Sequence, residues 1–151
     1  MTSTVRRAGV ADESAAWDVV DEYNRSIGVV VTDDPASFRA YLAGPGALWL
    51  AYDGDGDVAG CVALRPRQSA GPHAAEVKRL YVRPAHRGGG VARALMDALE
   101  AHARERGYTE LFLDTKDDLL AAIRFYERRG YKRVPRYNDN PQATIFMRRV
   151  L

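Results

Sequence analysis

The sequence predicts an α/β (α+β) fold, a mixed sheet with helices on its faces. Three observations lead there. Short runs rich in β-branched and aromatic residues alternate with segments of helical period, and Gly, Pro and Asp mark nearly every junction. The chain of 151 residues carries no internal repeat, low-complexity tract or domain-length linker, so one domain over residues 1–151 is expected.

Taken in order, Val5 to Ala8 reads as a short strand, and Asp12 as the N-cap of a helix whose apolar positions Ala15, Ala16, Val19, Val20 and Tyr23 recur at helical spacing. In "DDPASFRAYLAG", Asp34 precedes Pro35 at a first helical position and Gly44 closes the segment. "ALWLAYD" and "VAGCVALRP" form a hairpin, and residues 75–82, "EVKRLYV" with its leading Ala75, form the next strand. From Gly90 to Arg106, Val91, Leu95, Ala98, Leu99 and His102 make one stripe of a helix that Gly107 stops. "TELFLDT" is a strand, and Asp117 to Arg129 a helix with Leu119, Ile123 and Tyr126 on one face. Two strands near Tyr131–Val134 and Ala143–Val150 flank the loop "PRYNDNPQ". The expected order is β-α-α-β-β-β-α-β-α-β-β.

Hydrophobic residues make up 46% and charged residues 28%, and 22 basic against 20 acidic side chains leave a net charge of +2. No global field commits such a chain to nucleic acid or an anionic membrane, so any anion site is local. The basic run Arg124, Arg128, Arg129, Lys132, Arg133 and Arg136 lacks an aromatic platform and reads as a solvated face or as help with phosphate. Cys61 stands alone, which excludes an internal disulfide. His73, His86 and His102 show no metal-ligand spacing, and no metal site is expected. "DGDGD" at Asp53–Asp57 lacks the glycine and glutamate of a calcium loop and reads as a hairpin turn. The N-terminal "MTSTVRRAGVADE" has no apolar run of a signal peptide, so a soluble cytoplasmic protein is expected.

The stretch "HRGGGVARAL", between a strand and a helix, raises a sharper question. Glycines there let a backbone approach a ligand and leave the first helical N–H groups open to an anion. A dinucleotide fingerprint would need glycine at Arg93, and a P-loop needs a lysine followed by Ser or Thr; neither is present. On these grounds a phosphate cradle and a plain turn both stand.

Arg87, Gly90 and Ala92, after Leu80-Tyr81-Val82 and before an amphipathic helix, together with "LFLDT" and "AAIRFYERRGY", resemble the GNAT superfamily of N-acetyltransferases. The resemblance runs from about Val5 to the C-terminus and is strongest between Glu76 and Tyr131. It implies a mixed, mostly antiparallel acetyl-CoA-binding sheet, with acetyl-CoA as co-substrate and an amine, small molecule or peptide, as acceptor. By the same resemblance Gly88, Gly89, Gly90, Val91, Ala92 and Arg93 hold the pyrophosphate, and the Leu80, Tyr81 and Val82 backbone pairs with the pantetheine arm. Many relatives carry a basic residue where Gly89 sits, and asparagine where Leu119 sits.

Acetyl transfer to an amine needs a neutral nitrogen, a stabilised oxyanion and a proton for the departing thiolate. Glu76 matches the position of a general base in one branch of the superfamily, and alternatively is a solvated residue at a strand end. Asp114 matches the base position of another branch, or is a helix-entry residue. Tyr126 matches the tyrosine that protonates the thiolate, its other reading being a core tyrosine beside Ile123. "RYNDNP" resembles the tail of a branch of small bacterial members; Tyr137, Asn138 and Asn140 either line the acceptor pocket or shape the loop by Asx turns. A non-catalytic acyl-CoA-sensing or protein-interaction module on the same fold is the alternative function. Neither nucleic acid nor membrane is expected as a partner; the acceptor's identity and the oligomeric state, a homodimer included, stay open.

Overall fold

In a computed structural model that describes residues 3–29 and 33–151, each turn signal of the sequence separates the elements it was expected to separate. Met1 and Thr2 of the N-terminal segment lie outside the described residues. Strand β1 (Thr4–Arg7) is followed by α1 (Glu13–Ser26), α2 (Pro35–Ala43), β2 (Ala47–Tyr52), β3 (Val58–Pro66), β4 (Ala74–Val82), α3 (Val91–Glu105), β5 (Glu110–Thr115), α4 (Leu120–Arg128), β6 (Lys132–Arg133) and β7 (Ile145–Val150). The strands form one sheet in the order β1-β2-β3-β4-β5-β7-β6. Every pair is antiparallel except β4 with β5, whose parallel pairing follows from the long crossover through α3.

Local chemistry departs from expectation at two helix starts. Asp12 does not cap α1 forwards: its Oδ2 accepts from the Gly9 N–H at 2.8 Å and closes a 3₁₀ turn over Val10–Asp12. Helix α4 begins at Leu120 rather than Asp117, because the Asp117 N–H donates to Thr144 Oγ1 at 2.8 Å and ties the approach to the last strand's entry. Asp34 behaves as read, accepting from the Ser37 N–H at 2.8 Å.

Two apolar layers cover the sheet. Helices α1 and α2 bury Val19, Val20, Phe38 and Leu42 over Leu48, Leu50 and Cys61, while α3 and α4 bury Leu95, Met96, Leu99, Ile123 and Tyr126 over the opposite face. Each such aliphatic side chain contributes roughly 1.5–3 kcal/mol. This packing fixes where α3 begins and where Tyr126 points. The α3 stripe is rotated from expectation: Met96, Glu100 and Ala103 are buried, whereas Ala98 and His102 are half-buried.

Between β3 and β4 the register jumps from Cys61↔Tyr81 to Ala63↔Lys78, which inserts one extra residue into β4. Arg79 carries that bulge at φ 60°, an uncommon conformation for a side-chain-bearing residue. The bulge redirects the strand just where it leaves its parallel neighbour. No helix among the described residues is long and apolar enough to cross a membrane.

Candidate active site

The parallel pair β4–β5 holds for only three registers, Ala74↔Glu110, Ala75↔Leu111 and Glu76↔Phe112. Beyond Glu76 the strands part, and a cleft of about 590 Å3 opens between them. Its walls come from Val77, Lys78 and Leu80 of β4, Asp114 and Thr115 of β5, Leu119, Ala122 and Tyr126, the end of α1, and the loop Asn138–Ala143.

A chain of ion pairs crosses the root of this cleft. Arg65 donates from Nε at 2.8 Å to Glu76 Oε1, with a second nitrogen at 2.7 Å. Lys78 Nζ lies 3.3 Å from Glu76 Oε2 and 3.0 Å from Asp114 Oδ2. Asn138 Nδ2 donates to both carboxylates, at 3.2 Å and 2.6 Å, and Asn140 Nδ2 to Asp114 Oδ1 at 3.4 Å. Burial is the largest single influence and acts to raise both acids, but it is outweighed by the lowering contributions together: Lys78 first in each case, then Arg65 and the Tyr137 hydroxyl at Glu76 and the two asparagines at Asp114. Both carboxyls sit below their usual range.

This geometry corrects the expectation for Glu76. Its side chain is 1% exposed, both oxygens already accept hydrogen bonds, and it is not part of the cleft wall. No oxygen of Glu76 is free toward the cleft, and Lys78 and Arg65 help hold its carboxyl below the usual range, so in this arrangement it is poorly disposed to take a proton. The carboxylate that does face the cleft is Asp114.

Tyr137 is also corrected. It does not belong to the cleft wall: its ring lies edge-on to Phe112 and Phe146, at 5.2 Å and 5.3 Å, under the Arg67 guanidinium at 4.1 Å. Its hydroxyl donates to Glu76 Oε2 at 2.7 Å, and burial followed by the Glu76 charge pushes its pKa up. Asn138 and Asn140 do line the cleft. Their side-chain oxygens also accept from the Asn140 and Gln142 N–H groups, each at 3.1 Å, in successive Asx turns, as the loop-shaping reading expects. Arg136, from the basic run, binds the Asn140 and Ala143 carbonyls at 3.0 Å and 2.8 Å and so shapes the loop.

Tyr126 projects from α4 into the cleft. Its hydroxyl has no hydrogen-bond partner among the described residues, and burial, with a smaller push from Tyr23 and Asp114, raises its pKa well above that of a free phenol. It stays protonated at physiological pH, with a proton to donate. Tyr23, on the facing wall, is pushed up to about 12, again by burial first.

At the far end of β4, Pro84–His86 form a single 3₁₀ turn, and Gly88 and Gly90 follow at φ 81° and 82°. Gly90 is the residue before α3, and its left-handed backbone aims the next amides outwards. The first helical hydrogen bond runs from Ala94 N to Gly90 O at 3.0 Å. The six N–H groups of Gly88 to Arg93 therefore have no acceptor among the described residues, and together with the positive end of the α3 dipole they suit a pyrophosphate. Arg87 donates from Nε to Val82 O at 3.0 Å, which braces the loop against β4. His86 Nε2 is 2.9 Å from Asp53 Oδ2, and Asp53 Oδ1 accepts from the Asp55 and Asp57 N–H groups, so "DGDGD" anchors the loop.

Leu80 and Val82 turn toward the α3–α4 face, whereas Tyr81 turns to the other, its hydroxyl 2.7 Å from Glu22 Oε2. Past Glu76, β4 has no partner strand on its β5 side, so an extended ligand has open backbone to pair with. Sequence reasoning missed Arg65, Lys78, Arg79 and Lys116, all of them cleft residues. The one available signal was the hairpin register, which sets Arg65 opposite Glu76.

With that geometry in place, residues 16–131 match the Acetyltransferase (GNAT) family. The chain belongs to this family. It is 36% identical over 137 residues to an uncharacterized N-acetyltransferase of Schizosaccharomyces pombe, covering 86% of this chain and 83% of that one. It is 35% identical over 101 residues to N-acetyltransferase family 8 member 2 of Rattus norvegicus, spanning 66% of this chain but only 44% of that protein. Among solved structures, an acetyltransferase of the GNAT family from Staphylococcus aureus superimposes with a TM-score of 0.84 over 99% of both chains at 16% identity. The PaiA N-acetyltransferase of Thermoplasma acidophilum, solved in complex with coenzyme A, does so at 0.74 over 100% of both chains at 15% identity. These two likenesses speak for the fold.

Proposed function

We propose that the protein transfers an acetyl group from acetyl-CoA to an amine by direct attack within a ternary complex. The observation that carries this reading is the run of six amides, Gly88 to Arg93, without acceptors at the end of a strand that has lost its parallel neighbour. The amides and the α3 dipole would hold the pyrophosphate, while the Leu80–Val82 backbone would take the extended arm and place the thioester in the cleft.

The amine nitrogen attacks the thioester carbonyl carbon, the C–S bond breaks, and the thiolate sulfur takes a proton. Tyr126 is the group suited to supply it, and its phenolate then regains a proton from water, matching the one the nitrogen gives up. Asp114 faces the cleft as an ionised carboxylate, and it would accept a hydrogen bond from the attacking nitrogen, which then loses its proton to water. Glu76 is assigned the position of Lys78 and Asn138 rather than the proton itself.

The test is release of free thiol from acetyl-CoA over an amine panel, with Tyr126→Phe as the diagnostic variant. Loss of the hydroxyl is expected to lower kcat on the order of 100-fold with little change in acetyl-CoA affinity. An unchanged kcat would remove Tyr126 from the mechanism. Absence of acetyl-CoA binding to the wild-type protein would remove the reading itself.

A further inference from the structure

The acceptor end of the cleft carries both signs of charge in an unequal state of pairing. Arg79 donates from Nε at 3.2 Å and a terminal nitrogen at 2.9 Å to Asp33 and is neutralised there. Lys78 is held between Glu76 and Asp114. Lys116 is different: its Nζ reaches only a backbone carbonyl, that of Ile27 at 3.3 Å, and no carboxylate lies within ion-pair distance among the described residues. The residues outside that description, Met1, Thr2, Val30, Val31 and Thr32, include no acid. Arg65 gives Nε and one terminal nitrogen to Glu76 and keeps the other terminal nitrogen, on a side chain that is 47% exposed.

Asp114 and Lys116 both line the cleft, the first within β5 and the second just after its last residue, Thr115. The pair offers one carboxylate and one ammonium to a ligand that carries both a nitrogen and an anionic group, the first meeting Asp114 and the second meeting Lys116.

Resting on the acetyltransferase reading above, we infer that the acceptor is a small amine bearing a carboxylate, an amino-acid-like molecule whose carboxylate is read by Lys116 with help from the free nitrogen of Arg65.

The experiment compares small L-amino acids with their own carboxamides as acceptors, for the wild type and for Lys116→Met. The free acid is expected to give a kcat/KM at least about tenfold above its amide, the size of one charge-assisted contact, and the ratio should fall to near one in Lys116→Met. Amides are less basic and present more neutral amine, so the comparison is biased against the proposal. A wild-type ratio near or below one overturns it, and so does a ratio that Lys116→Met leaves intact. If acetyl-CoA binds but no amine turns over, calorimetry with an N-acetyl amino acid and its amide replaces the kinetics. Tighter binding of the acid that Lys116→Met abolishes supports the inference, and equal binding overturns it. Failure of acetyl-CoA to bind at all sinks the acetyltransferase reading separately, because the calorimetric comparison still reports on the cleft.

Discussion

The phenolic oxygen of Tyr137 lies 2.7 Å from Oε2 of Glu76, so a residue of the last loop completes the shell of a carboxylate buried 61 positions earlier in the chain. Through Glu76 the loop is coupled to Arg65 and Lys78, and through Lys78 to Asp114. A role in holding the fold and a role in taking a proton make opposite demands on Glu76. Glu76→Gln is expected to cost about 3 kcal/mol, near the low end for breaking a buried pair because Lys78 keeps Asp114 and Arg65 is half-exposed. Tyr137→Phe should cost roughly 1.5–3 kcal/mol through the lost bond to a charged acceptor. Urea unfolding measures both. A Glu76→Gln protein of full stability whose kcat alone collapsed would return Glu76 to the role of base.

Acid should act through the same cluster. Glu76 and Asp114 have folded pKa values below their unfolded ones, so their stabilisation is complete above the ordinary carboxylate range, about 4, and is lost as pH falls through the folded values. Stability measured from pH 6 downwards should be flat and then decline below about 4, with a shallower decline in Asp114→Asn. A decline of equal slope in the variant would show that Asp114 is not held below its usual range.

The glycines of the loop are predicted to be unequal. Gly90, at φ 82°, should lose roughly 1–2 kcal/mol on substitution by alanine, since a Cβ is disfavoured in the left-handed region whatever the space around it. Gly89 has no such backbone, and a Cβ there would meet only the His86 carbonyl at 3.6 Å, so Gly89→Ala should stay within about 0.5 kcal/mol. Gly89→Arg should tighten coenzyme A about two- to fivefold at low salt, the range of one exposed ion pair. Thermal melts and calorimetry in two salt concentrations test all three.

On the opposite face, Glu100 joins three elements. It is 3% exposed and accepts from Arg129, from Arg149 at 2.8 Å and from the Tyr131 hydroxyl at 3.1 Å. Glu100→Gln leaves two guanidinium groups without their carboxylate and should destabilise by about 3–5 kcal/mol, while Asp97→Asn, which removes only an exposed partner of Arg129, should cost less than about 1 kcal/mol. Near-equal losses in chemical denaturation would contradict this ranking.

The order of elements was legible because glycine, proline and aspartate mark nearly every junction and because the helical and strand periods differ. The architecture of the cleft was less so. Asp12 carried a cap's chemistry, yet the backbone ahead of it closed a 3₁₀ turn and drew its carboxylate backwards. Lys78 looked like any strand lysine, since no one-dimensional pattern reports two carboxylates converging from neighbouring strands. Tyr137 sat in a polar stretch that resembles a pocket lining, and only the pairing of β5 with β7 brings Phe112 and Phe146 to its two sides. The glycine loop was readable in advance because its demand is local: a positive φ and free amides belong to the same few residues.

The parallel pair that stops after Glu76 and Phe112 leaves the sheet one strand short over the length of the cleft. Whatever extended molecule lies there inherits the geometry of a missing strand, so its backbone-like portion is read without regard to side chains while the walls around it remain free to vary. Under the proposed function, a change of acceptor would come from substitutions at Lys116, Asn140 or Gln142 without any redesign of the sheet, because the gap is a property of register and those residues stand at its margins.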